Sequence, residues 1–153
     1  MKISKLAFAI RKNTSNQFVD ILVDGESMYA TLGIHGSGMS TVLSTAFAQS
    51  SVTEFANYFD SKFIDPELKS GIAPFYVCSE CGDYGCGVLG WKVDFINEIV
   101  KWSDFQWDDN IDPQEYNSDV LDIPDLFFTL HQYTGAVADI HNLYNIMSEQ
   151  HER

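Results

Sequence analysis

Apolar and polar residues alternate with a period of two over 18–24. Phe18, Asp20, Leu22 and Asp24 fall on one face, and Val19, Ile21 and Val23 on the other. That period marks a half-buried strand. A β-prone run over 3–10 precedes it across the polar turn 11–17, so the chain is predicted to open with a hairpin whose Val19, Ile21 and Val23 face the core. Residues 27–50 are small, Gly-rich and nearly uncharged, and read as an irregular connection. Ser51-Val52-Thr53-Glu54 then has the form of a capping box. Phe55, Tyr58 and Phe59 follow at helical spacing, which predicts a helix over 52–61 that ends before Asp65-Pro66.

The stretch 73–107 holds all three cysteines and all three tryptophans. It reads as three consecutive antiparallel strands. Phe75-Tyr76-Val77 leads into a cysteine-glycine turn, 88–95 returns, and Asn97-Glu98 turns the chain into a third strand that begins at Ile99. Beyond Phe105 the pattern gives way to an acidic loop with turn formers Asn110, Pro113 and Asn117. Pro124-Asp125 is then read as the start of a last helix over 126–147, with an acid beside the positive end of the dipole and a bend or break at Gly135. These elements predict an α+β fold in a single domain, 1–153: an antiparallel sheet of about five strands with two helices packed on one face.

Composition changes the picture through charge. Twenty-two acids against nine bases leave a formal net charge of −13. A field of that sign repels nucleic-acid phosphates and anionic membrane surfaces, and it steers basic proteins inward. No apolar run is long enough to span a bilayer. The N-terminal run Leu6-Ala7-Phe8-Ala9-Ile10 is too short for a signal peptide and is closed by Arg11-Lys12. A cytoplasmic location is therefore expected, with cysteines held as thiols in a reducing compartment.

Candidate chemistry is sparse. Gly36-Ser37-Gly38 lacks the lysine and the strand–helix frame of a phosphate-binding loop, and no G-x-S-x-G is present. The histidines are scattered, with His131 and His141 ten apart on the last predicted helix and roughly 80° out of phase. No nucleophile–base constellation can be assigned, and the chain is read as not an enzyme. Cys78-x-x-Cys81-Gly82-x-x-x-Cys86 has half of a zinc-site spacing, with Cys86 available as a third thiolate. A redox pair is the second reading of that turn. The third is structural: Gly82 and Gly85 permit a tight reversal with the cysteines packed beneath it. No cofactor is required on this last reading.

The segment Glu80-Cys81-Gly82-Asp83-Tyr84-Gly85-Cys86, followed by Val100-Lys101-Trp102-Ser103-Asp104-Phe105, resembles a group of small bacterial proteins with a C-x-C-G-x-x-G-C turn and a V-x-W-x-x-F strand. Ser79 stands where that pattern has its first cysteine, and the extra cysteine is Cys78. The resemblance implies a fold and no catalytic residue set. In size and acidity the chain is also similar to bacterial toxin-immunity proteins, which bind and neutralise a basic toxin domain. That likeness implies a basic protein partner, with Asp104, Trp107, Asp108, Asp109, Asp112, Glu115 and Tyr116 as the expected contact residues. Carboxylates would steer such a partner and the two aromatic residues would anchor it.

Overall fold

The computed structural model describes residues 1–12, 16–33, 38–47, 52–68, 70–80, 82, 84–108 and 118–152. The fold is α+β. In chain order the elements are β1 (Leu6–Lys12), β2 (Gln17–Val23), β3 (Glu26–Ser27), α1 (Met28–Thr31), β4 (Met39–Ser40), α2 (Val52–Asn57), β5 (Ala73–Cys78), a 3-10 turn (Tyr84–Cys86), β6 (Val88–Ile96), β7 (Ile99–Asp108), β8 (Ser118–Val120), β9 (Leu126–Thr129), α3 (Leu130–Ala138) and α4 (Ile140–Glu152).

The opening hairpin forms as the alternation predicts, with β1 and β2 antiparallel from Leu6↔Val23 to Lys12↔Gln17. Asp24 and Gly25 both take positive φ, 52° and 81°, and fold β3 back on β2. A two-residue Asp-Gly connection of this kind matches the twist of the strands that it joins. The main sheet runs β4-β5-β6-β7-β8 with β9 as a sixth strand on β7, antiparallel throughout, in keeping with the expected sheet of about five strands. β7 organises it. β6 lies along one side of β7, while β9 pairs with Ile99–Trp102 and β8 with Gln106–Asp108 on the other. Two isolated bridges tie flanking segments to the strands: Ser4, ahead of β1, to Phe128 of β9 in parallel, and Phe18 of β2 to Ser44, beyond β4, antiparallel.

Four expectations are corrected. The last helix does not begin after Pro124. Leu126–Thr129 is a strand, because the first half of β7 offers an unpaired edge and takes it. The helix starts one residue later, where the Thr129 side chain accepts the Gln132 N–H. The break falls at Asp139 instead of Gly135, dividing α3 from α4. On β2, the face expected to meet solvent is covered: Phe18 and Asp20 are buried beside Tyr29 and Tyr76. The helix predicted over 52–61 shortens to Val52–Asn57, continued by tight turns through Tyr58 and Phe59; Ser51, its expected cap, lies outside the described residues.

The sheets and α2, α3 and α4 enclose a largely aromatic core. Trp91 stacks on Phe75 at 3.9 Å between ring centroids, and Trp102 lies against Trp91, Phe59 and Phe128. Aromatic contacts of this type add to the gain from burial itself. The Trp102 indole N–H donates to the Tyr133 hydroxyl, which donates in turn to the Phe59 carbonyl, so both buried polar groups are satisfied. The Trp91 indole N–H finds no acceptor among the described residues.

Candidate functional site

Of the expected contact residues the structure describes Asp104, Trp107 and Asp108, and it places these three in different surroundings. Gly90 pairs with Gln106 and Lys92 with Ser103, so Asp104 and Phe105 together oppose Trp91 in a bulge. Asp104 adopts φ 57° there, points to solvent and pairs with Lys92 at 3.2 Å. Trp107 is half-buried. Its ring lies over Gly87, where an added Cβ would sit 1.9 Å from Cζ2. Asp108 is fully buried and accepts a 2.8 Å hydrogen bond from the Ser70 hydroxyl. Asp108 is therefore removed from the expected contact set: a carboxylate held inside by the fold cannot meet a partner. Trp107 serves first as packing. Asp109, Asp112, Glu115 and Tyr116 lie outside the described residues.

The cysteine turn is a reversal, as expected, but its geometry differs in detail. Gly82 and Gly87 carry the positive φ values, 67° and 95°, and Gly85 falls within the 3-10 turn. Cys78 is half-buried at the end of β5, and Cys86 is exposed instead of packed beneath the reversal. Cys81 lies outside the described residues. Among the described residues, no group of three histidine, cysteine or carboxylate side chains is arranged to hold a metal ion.

Two features escaped the sequence reading. The first is the carboxylate of Asp20, 1% exposed at the centre of β2. Its Oδ1 accepts the Tyr76 hydroxyl at 2.6 Å and the Ile21 N–H at 2.9 Å. Its Oδ2 accepts the Ser27 hydroxyl and, at 2.8 Å, the Arg11 Nε–H. The Arg11 guanidinium also lies 5.2 Å from the centre of the Tyr29 ring. Burial, followed by the adjacent Asp20 charge, pushes the Tyr76 phenol well above its ordinary value. All four acceptor positions of Asp20 are thus committed to the fold, and none is left for a ligand.

The second is a cleft of about 460 Å³ where the β2–β3 turn and α1 face the segment leading into β9. Val23, Met28, Ile123 and Leu126 supply apolar lining, and Asp24, Glu26 and Asp125 supply carboxylates. Asp24 is fixed by the Lys5 N–H at 2.9 Å and by Lys2 Nζ at 3.4 Å. The backbone hydrogen bond from Lys5, then the Ser4 hydroxyl and Lys2, hold its carboxyl below the ordinary value. Asp125 pairs with Lys101 at 3.6 Å. Glu26 has no cation within ion-pair distance among the described residues. The cleft brings together three segments far apart in sequence, around Ser4, Asp24 and Ile123–Phe127, so no local sequence motif announces it. Comparisons of the chain with protein-family models, with curated proteins and with solved structures find no match.

Proposed function

We propose that this chain is an acidic protein-binding module whose partner is a basic protein domain, and that its specific role is that of an immunity protein neutralising a toxin. The observation that carries this reading is charge that the fold leaves uncompensated. Of the nine basic residues, Lys2, Arg11, Lys92 and Lys101 are engaged with the chain's own carboxylates. Glu26, Asp60, Asp94, Glu98, Asp122 and Glu149 are exposed, so a partner meets a surface with carboxylates in excess. Such a surface accelerates encounter with a basic domain and disfavours acidic competitors. Among the described residues no helix is long and apolar enough to cross a membrane.

The test is co-expression with a basic toxin-like domain encoded beside its gene. Restored growth, together with a purified complex whose association rate falls steeply between low and physiological salt, is the expected result. Persistent growth arrest with no complex at low salt would reject the reading.

A further inference from the structure

Resting on the binding-module reading, we infer that the cleft between the β2–β3 turn and the segment before β9 is the docking point for a lysine or arginine side chain of the basic protein partner. The volume, about 460 Å³, lies in the range of sites that enclose a small ligand group. Its chemistry suits a long cationic side chain. Met28, Ile123 and Leu126 offer apolar surface for an alkyl stem, while Asp24, Glu26 and Asp125 set carboxylates about the same space. Lysine and arginine divide in this way, with stem against apolar surface and head among polar groups.

The chain itself shows the recognition. Lys2 also lines the cleft, and its ammonium lies 3.4 Å from Asp24 while its side chain stays 82% exposed. It is the chain's own ammonium, paired at the surface with one of the cleft's carboxylates. Lys101 similarly engages Asp125. Glu26, exposed and outside any ion pair among the described residues, supplies the charge that an incoming cation can take directly. Lys2 therefore competes with the partner for Asp24, and removing it should strengthen binding.

The experiment is a titration of the isotope-labelled full chain with n-butylguanidinium, an arginine side-chain mimic, followed by amide chemical shifts, with neutral n-butylurea as the matched control. Shifts should concentrate on 23–28 and 123–127, and the urea should bind more weakly. Glu26→Gln should weaken binding by about two- to fivefold, the range expected of one exposed ion pair, and Lys2→Met should strengthen it by a similar factor. Lys12→Met changes the net charge by the same amount at an exposed position on β1, away from the cleft, and should have little effect. Equal binding of the neutral and cationic probes, or equal gains from Lys2→Met and Lys12→Met, would overturn the inference by showing that only bulk charge acts. The two readings separate cleanly. A toxin domain that is neutralised equally well by the Glu26→Gln and Lys2→Met variants removes the cleft while leaving the binding module intact.

Discussion

Replacing Asp20 by alanine tests whether the fold depends on a buried carboxylate with four internal partners. The substitution removes the acceptor of the Tyr76 hydroxyl, the Ile21 N–H, the Ser27 hydroxyl and Arg11 Nε. Arg11 is one-third exposed and can turn its guanidinium to water, and the Ser27 hydroxyl can rotate toward another acceptor. The Tyr76 hydroxyl has no such escape, since it is fully buried, whereas the Ile21 N–H still faces the Tyr76 oxygen. At about 1–3 kcal/mol for an orphaned buried donor, Tyr76 alone gives a loss of roughly 1–3 kcal/mol. That is a substantial share of the roughly 5–15 kcal/mol that holds a domain together. With a urea dependence of about 2 kcal/mol per molar, the unfolding midpoint should fall by about 0.5–1.5 M. Asp20→Asn keeps an acceptor for Tyr76 and Ile21 but turns an amide donor toward Arg11, and should cost less than Asp20→Ala. In a double-mutant cycle with Tyr76→Phe, the two losses should overlap by at least about 1 kcal/mol, as expected of groups sharing one hydrogen bond. A midpoint shift under about 0.3 M for Asp20→Ala, or strict additivity in the cycle, would refute the reasoning, because the buried donors would then have found other partners at no cost.

Other outcomes follow from the same geometry. Gly90→Ala should destabilise strongly, by more than about 3 kcal/mol in urea unfolding, because its Cβ would lie 1.8 Å from the Ala73 carbonyl oxygen across the β5–β6 pair. Trp102→Phe should cost about 1 kcal/mol more than Trp91→Phe, since it also breaks the bond to Tyr133 while Trp91 has no indole acceptor among the described residues to lose. Tyr58, Tyr76, Tyr84 and Tyr133 all have phenols raised above 10, chiefly by burial. The folded state therefore retains protons that the unfolded state releases. Stability from these groups is complete below pH 10 and is lost as pH rises above it, so phenolate absorbance should appear together with cooperative unfolding. Asp24 has the opposite sign: its contribution is present at neutral pH and is lost only as pH falls below 3.8, a loss that Asp24→Asn should abolish in acid titration.

What local pattern could reveal was set by how much of each element depends on its own residues. The β1–β2 and β6–β7 hairpins were legible because strand alternation and turn chemistry reside in neighbouring positions; Asn97, with φ 57°, marks the second turn by itself. The stretch after Pro124 misled because helix-start chemistry and a strand-forming Leu-Phe-Phe-Thr run overlap there. Only the unpaired edge of β7 decides between them. One overlooked signal was present: Thr129-Leu130-His131-Gln132 has the form of a capping box and places the helix start at its observed position. In this fold Gln132 supplies its backbone N–H to Thr129 and turns its side chain to the Leu6 backbone, so the same residue both starts α3 and ties it to β1.

The candidate sites were harder because charge on a strand face has no visible depth. Asp20 and Asp24 share one face of the alternation, yet one is buried under Tyr76 and the other stands at a cleft in the turn. The difference depends on β5 and on the segment before β9, both remote in sequence. Asp104 and Asp108 show the same division four residues apart, through a bulge that the local alternation does not announce. Acidity alone therefore overstates the surface offered to a partner. Asp20 and Asp108 contribute to the −13 but are spent on Tyr76, Ser27, Arg11 and Ser70 inside the fold. Charges sequestered in this way still contribute to a long-range field, but they cannot form contacts at an interface. Steering can therefore draw on the whole acidic chain, whereas recognition must come from carboxylates such as Glu26 that the fold leaves exposed beside a shaped apolar surface.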